Sequence, residues 1–196
     1  MYIWLERNGI YRNPKTVLRV MQKYGLLSVI IRKKYRNYGI HLHKYPNLLN
    51  RDFNAERSDQ KWVTDILYIH TKQGVLYLSV IRDLYDNSIV AYKTGTEQNM
   101  NLVLNTIKEA KKKEKVTAEL QFHSDQGFQY TSTAYFKLTQ SYGITLSMSR
   151  RGNFCDNSLA ENFFFILKTE CIYRIKLQIY EEARLLIGEY IHFYNN

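Results

Sequence analysis

A mixed α/β sheet flanked by helices is the fold class the sequence predicts, on three observations. Runs rich in Val, Ile, Leu and Tyr fill residues 61 to 95, the composition of strands. Beyond them, segments of helical period alternate with short apolar runs. The chain has 196 residues and is 45% hydrophobic, enough to bury one substantial core with a small appended module.

The elements follow in order. "YIWLERNG" reads as a short helix, with a turn around Gly9. In "RNPKTVLRVMQKYGLLS", Asn13 can cap a second helix, Pro14 suits its first position and Gly25 falls just past its end. Val17, Leu18, Met21 and Tyr24 form its apolar stripe, leaving Lys15, Arg19 and Lys23 outward. Residues 1–27 are therefore a helix-turn-helix-like segment that can lay its second helix in a DNA groove, although two short helices with a basic face also occur without that role. Residues 28–60 carry basic and aromatic residues without sustained periodicity and read as a basic linker touching phosphate.

Residues 61–196 form the main domain. "KWVTDILYIHT" and "GVLYLSVIRDLYD", joined by a turn at Lys72 to Gly74, and "SIVAYKTG" make a three-strand meander. "NMNLVLNTIKEAKKKEK" is an amphipathic helix with Leu102, Val103, Thr106, Ile107 and Ala110 inward. Its lysine-rich end suits the helix dipole, and the run from Lys111 to Lys115 reads either as a DNA patch or as a solvated last turn. "AELQFHSDQG" is a short strand ending in a turn, "TSTAYFKLTQSYG" a helix stopped by Gly143, and "ITLSMS" a fifth strand. Helices containing Glu161 and "YEEARLLIGEYIHFYNN" close the chain.

Charge narrows the partners. The net charge is +10 and the pI about 9.5. Residues 1 to 60 hold 12 Lys/Arg against 4 Asp/Glu, whereas residues 61 to 196 hold 16 against 14, so the basic excess is front-loaded. Nucleic acid is the anionic partner this favours. No run of 18 apolar residues exists, the N-terminus lacks a signal-peptide pattern, and no long amphipathic helix suits a membrane surface, so a cytoplasmic protein is expected. Cys155 and Cys171 lack zinc-site spacing and are expected as free thiols.

Three carboxylates are the candidate chemistry. Asp65 sits mid-strand in "WVTDILYI", where an ionised group is costly unless paired or metal-bound. Asp125 sits where a strand ends in "FHSDQG", an edge at which functional loops collect. Glu161 lies in "NSLAENFFFILKTEC", on the same helical face as Asn157 and Lys168, while Leu159, Phe163, Ile166 and Leu167 project roughly opposite. Singly, each Asp could be bonded to backbone and Glu161 with Lys168 could be a solvated edge. Together they offer three hard oxygen ligands of the kind Mg²⁺ requires.

Asp65, Asp125 and Glu161, with 35 residues between the second and third, resemble the signature of retroviral-type integrases and of DDE transposases of bacterial insertion sequences. "WVTDILYI", "HSDQGFQYTS" and "DNSLAENFFFILKTE" are similar to words of the form encoded by a second open reading frame, and "PNLLNRDF" and "NPKTVLRVMQKYGLL" to its connector and DNA-binding motif. The resemblance covers nearly the whole chain.

It implies a ribonuclease-H-like fold with a five-stranded mixed sheet, and a transposase that cleaves and joins DNA strands by two-metal phosphoryl transfer, with Mg²⁺ replaceable by Mn²⁺ and two ions present with DNA bound. Asp65, Asp125 and Glu161 would be the metal ligands, Lys168 would hold DNA phosphate, and Asp156 and Asn157 would be supporting residues. His123, two residues before Asp125, could touch substrate or be a hydrogen-bonded structural histidine. Implied partners are transposon ends and target DNA, further copies of the chain on that DNA, and a helix-turn-helix protein from an upstream frame.

Departures from the pattern are Gln126 in place of a common Arg, Leu67 in place of a common Thr, and an apparent truncation at both ends. The last keeps an alternative open: a catalytically impaired DNA-binding fragment that inhibits or partners the full-length enzyme. A stand-alone nuclease of the same fold fits the basic N-terminal segment less well.

Overall fold

A computed structural model describes residues 1–27, 43–114, 119–150 and 153–196, apart from the side chains of residues 154 and 155. Residues 28–42 of the linker expected over residues 28–60, Lys115 and the thiol of Cys155 lie outside the described residues. The chain divides into two compact units, Met1–Asn37 and Tyr38–Asn196.

The first unit contains α1 (Tyr2–Arg7) and α2 (Pro14–Lys23). Asn13 caps α2 by accepting the Lys15 N–H at 2.9 Å, and Pro14 takes the first helical position, where a missing N–H costs nothing. Gly9 and Gly25 adopt positive φ at the two helix ends. Only Val17 of the expected apolar stripe is buried; Leu18 and Tyr24 are exposed. The reason is local: α1 contributes no buried residue and so offers no opposing apolar face. Lys15, Arg19 and Lys23 are all exposed, as their spacing predicts.

The second unit is built on one sheet. Its strands are β1 (Lys61–Thr71), β2 (Gly74–Asp83), β3 (Ile89–Gly95), β4 (Gln121–Ser124) and β5 (Thr145–Met148), in the order β3-β2-β1-β4-β5. The first three are an antiparallel meander, and β1, β4 and β5 run parallel. Helices α3 (Met100–Lys113), α4 (Thr133–Ser141), α5 (Ser158–Glu170) and α6 (Tyr180–Tyr194) flank the sheet. The architecture is ribonuclease-H-like.

The two-residue period of β1 divides its side chains between two cores. Trp62 and Ile66 join Ile81, Val103, Ile107, Phe122 and Tyr135 on one face, with α3 and α4. Leu67 and Ile69 join Leu78, Val80, Phe163, Leu167 and Ile187 on the other, with α5 and α6. A strand buried on both faces reads as a near-continuous apolar run, and that makes the charge of Asp65 conspicuous.

Residues 43–60 lack regular secondary structure, yet they are packed rather than free-running. Leu49 is buried with Val63, Leu84 and Ala160, and the Leu48 N–H donates to Ser147 Oγ at 2.9 Å. Among the described residues no helix is long and apolar enough to cross a membrane.

Candidate active site

The centre of the sheet places the two aspartates. In the β1–β4 ladder Val63 pairs with His123, and the same offset carried two residues further brings Asp125 alongside Asp65. Both line a cavity of about 340 Å³, with Tyr68, Gln98 and Gly127 also in its wall. Each is anchored through one oxygen. The Ile66 N–H donates to Asp65 Oδ1 at 2.7 Å and the Gly127 N–H to Asp125 Oδ1 at 2.8 Å.

The electrostatics are those of crowded, unneutralised carboxylates. Burial first, then the Asp125 carboxylate and more weakly Glu161, push the Asp65 carboxyl up to about 7, with the Ile66 N–H opposing them. Burial likewise raises Asp125, against the Gly127 hydrogen bond. Among the described residues no Lys or Arg lines this cavity.

The approach to α5 supplies the third side. Residues Phe154–Asn157 form a 3-10 turn that leads into the helix. Asn157 is buried, and its Nδ2 donates to Asp65 Oδ2 at 3.3 Å. Its Oδ1 is buried with no hydrogen-bond partner among the described residues. Glu161, in the first turn of α5, is exposed, and its charge reaches Asp65. Lys168, two turns on, is half-buried.

Asp156 holds this approach in place. Its buried carboxylate accepts from Arg150 Nε and Nη2, both at 2.9 Å, from Arg51 Nε at 3.2 Å and from Asn47 Nδ2 at 3.0 Å. Hydrogen bonds from Arg150 above all hold its carboxyl well below the usual carboxylate range. One side chain thus ties the exit of β5 and the packed 43–60 segment to the start of α5.

Two readings of residues near the aspartates are refined. His123 is fully buried, with Nδ1 2.8 Å from Ser147 Oγ and Nε2 3.0 Å from Ser149 Oγ. Both ring nitrogens are thus engaged inside the sheet, the arrangement of a hydrogen-bonded structural histidine. Gln126, standing where an Arg is common, donates from Nε2 to the Ser149 carbonyl at 3.0 Å. Sequence reasoning missed Gly127, Tyr68 and Gln98 as cavity residues. Only the first had a signal, the turn after Asp125.

The donor set fits a divalent cation. Two half-buried carboxylates, each with an oxygen not taken by the backbone, and an orphaned amide oxygen beside them are hard acceptors lacking a positive partner. Among the described residues no three His, Cys, Asp or Glu side chains close into a metal-ligand cluster. Asp65 and Asp125 are brought together; Glu161 stands on the adjoining helix edge.

The integrase core domain family matches residues 55–154, and a second integrase core domain family residues 161–196. The chain is 41% identical over 191 residues to an uncharacterized transposase-like protein of Haemophilus influenzae, covering 97% of this chain and 88% of that protein. It is 37% identical over 195 residues to the transposase for insertion sequence element IS904 of Lactococcus lactis, covering 98% and 77%. Among solved structures, the HTLV-2 integrase catalytic core domain in complex with magnesium shares the fold, with a TM-score of 0.50 and 16% identity over 59% of this chain and 70% of that one.

Proposed function

The chain belongs to the integrase-core family of DDE transposases, and from that membership we propose that it cleaves and joins DNA strands at Asp65, Asp125 and Glu161 during movement of an insertion sequence. The observation that carries the reading is the half-buried Asp65–Asp125 pair, held at one cavity with no cationic side chain in its wall among the described residues. Such a pair is costly unless a cation neutralises it.

Asp65 and Asp125 would hold Mg²⁺, with Mn²⁺ as its substitute, and Glu161 would complete the set from α5. A bound divalent cation supplies charge neutralisation at phosphorus and activation of the attacking oxygen, and two ions serve with DNA present. The chain's own residues do the rest. The Ile66 and Gly127 N–H groups fix one oxygen of each aspartate, leaving the second oxygen of each outside the backbone hydrogen bonds. Asn157 orients Asp65, and the Asp156 knot fixes the helix that carries Glu161. Lys168, on the same helix, holds a DNA phosphate as a point charge. Lys15, Arg19 and Lys23 contact the transposon ends, and copies of the chain assemble on the DNA.

The test is cleavage and strand joining on a DNA duplex bearing the element's ends, with Mg²⁺ present. Asp65→Asn, Asp125→Asn and Glu161→Gln should each lose both reactions while still binding DNA. Losing one should cost about as much as losing all, because ligands of one site act together. Near-wild-type cleavage by any of the three would remove that residue from the site.

A further inference from the structure

A second cavity, of about 640 Å³, lies between β3, α3 and α6. Asn101, Asn105, Lys108 and Lys112 line it and follow one another at intervals of four, three and four residues. That spacing returns within about 60° of one direction, so the four form a single stripe along α3. The buried residues of α3 project to the opposite side.

The groove is cationic. Lys93 and Arg184 face it with Lys108 and Lys112, against the carboxylates of Glu97 and Glu109. Glu109 is 3.5 Å from Lys93, and Glu97 accepts from Asn99 Nδ2 at 3.2 Å. Lys108 and Lys112 have no ion-pair partner among the described residues. The amide and ammonium donors along the α3 stripe suit an anionic acceptor array.

Its position supplies the occupant. The loop between β3 and α3 contributes Gln98 to the cavity of Asp65 and Asp125, while Glu97 and Asn99, on either side of Gln98, line the groove. One loop is thus the shared wall of both. A strand held at the carboxylates and passing over Gln98 enters the groove directly.

We propose that this groove holds the phosphodiester backbone of the DNA whose scissile phosphate lies at Asp65 and Asp125. The inference rests on the cleavage function proposed above and adds a binding surface to it. The lysines and Arg184 neutralise phosphates, and the asparagine amides donate to non-bridging oxygens, contacts that position DNA without reading its sequence.

The test uses the full chain and a labelled DNA duplex, with binding measured across a salt series. Lys108→Glu combined with Lys112→Glu should weaken binding at least about tenfold and reduce the logarithmic salt slope by roughly 1.8, about 0.9 for each lost contact. Arg184→Glu should act in the same direction. Lys72→Glu combined with Lys176→Glu, which removes the same charge outside the groove, should leave most of the slope in place. An unchanged slope in the groove variants, or an equal loss in the control, overturns the proposal. So does a change in oligomeric state of the DNA-free groove variants by sedimentation, which would assign the surface to a second copy of the chain. Asp65→Asn in the same titration separates the two ideas. Groove-dependent binding without any wild-type cleavage would sink the proposed function alone, and cleavage with groove-independent binding would sink the groove alone.

Discussion

Asp65 and Asp125 are neighbours because β1 and β4 run parallel on a constant offset, with Val63 opposite His123 and the aspartates two residues beyond. The same pairing that builds the centre of the sheet therefore juxtaposes two half-buried carboxylates there. Structure is spent there on a site that repels itself in the absence of a cation.

That repulsion has a pH signature. Asp65 is raised to about 7, above its ordinary value, so between roughly pH 4 and pH 7 the folded chain keeps a proton that the unfolded chain has released. Stability from this group is present at acid pH and is lost as pH rises through 7. In metal-free buffer near pH 8, Asp65→Asn should therefore be more stable than wild type by up to about 4 kcal/mol, with the gain vanishing near pH 4. Urea unfolding at the two pH values measures it. Added Mg²⁺ should close the gap by stabilising the wild type alone. Equal midpoints at the higher pH would mean that the carboxylate is already neutralised within the chain.

His123 works in the opposite direction. Burial pushes its ring down to about 4. The folded state therefore refuses a proton that the unfolded state accepts near 6.5, and its contribution to stability is lost as pH falls from about 6.5 through 4. In the Asp65→Asn chain, where the opposing carboxylate is gone, stability should fall over that window by on the order of 3 kcal/mol. Imidazole NMR should show His123 titrating well below the ordinary imidazole value of about 6.5. A midpoint near 6.5 would place the ring in water, against its two serine contacts.

Gly127 is required for space. A Cβ at this position would stand 2.9 Å from Asp125 Oδ1 and 3.2 Å from Gln129 Oε1. Gly127→Ala should displace the Asp125 carboxylate and lower cleavage by about 10- to 100-fold, the usual consequence of a small misplacement at a reacting centre. Because the site is a loop beyond the end of β4, the melting temperature should move little. Full cleavage in this variant would show that the carboxylate is free to shift without penalty.

Much of this was legible in local pattern, and what was not has physical causes. Leu102, Val103, Thr106, Ile107 and Ala110 are all buried on α3 as a 3.6-residue period requires. The expected polar edge through Asn157, Glu161 and Lys168 holds only in part. Counting back from Glu161 assumed α geometry, but residues Phe154–Asn157 wind as a 3-10 turn, and Asn157 swings inward to Asp65. The partners of His123 lie on and just beyond β5, 24 and 26 residues away, where no local spacing reveals them. Residues 43–60 showed no period and read as linker because irregular chain can be fixed by a single buried side chain such as Leu49.

Asp156 exemplifies what lies beyond pattern, since its role is spread over residues more than 100 positions apart. Asp156→Ala should release Arg150, Arg51 and Asn47 together and loosen the start of α5 without touching Asp65 or Asp125. Cleavage should fall while DNA binding persists, and amide exchange should rise in the first turn of α5. Asp156→Asn, which keeps the size and one acceptor, should recover part of the loss. Unaltered exchange in α5 would reduce Asp156 to a surface anchor for two arginines.

The front-loaded charge gives the last prediction. Lys15, Arg19 and Lys23 are exposed on α2, and residues 1 to 60 carry most of the excess positive charge. If they supply phosphate contacts, a chain beginning at Lys61 should bind duplex DNA more weakly and with a shallower salt dependence than the full chain, by about 0.9 in logarithmic slope per lost contact. Because the packed segment from residue 43 to 60 would also be removed, Lys15→Ala, Arg19→Ala and Lys23→Ala together provide the cleaner comparison, leaving Leu49 and the Asp156 knot intact. The triple variant should lose preference for the element's ends over random duplex, since side chains on a groove-bound helix read base edges as well as phosphate. Identical slopes and identical preference in the triple variant would make α2 a solvated helix and leave recognition to the second unit.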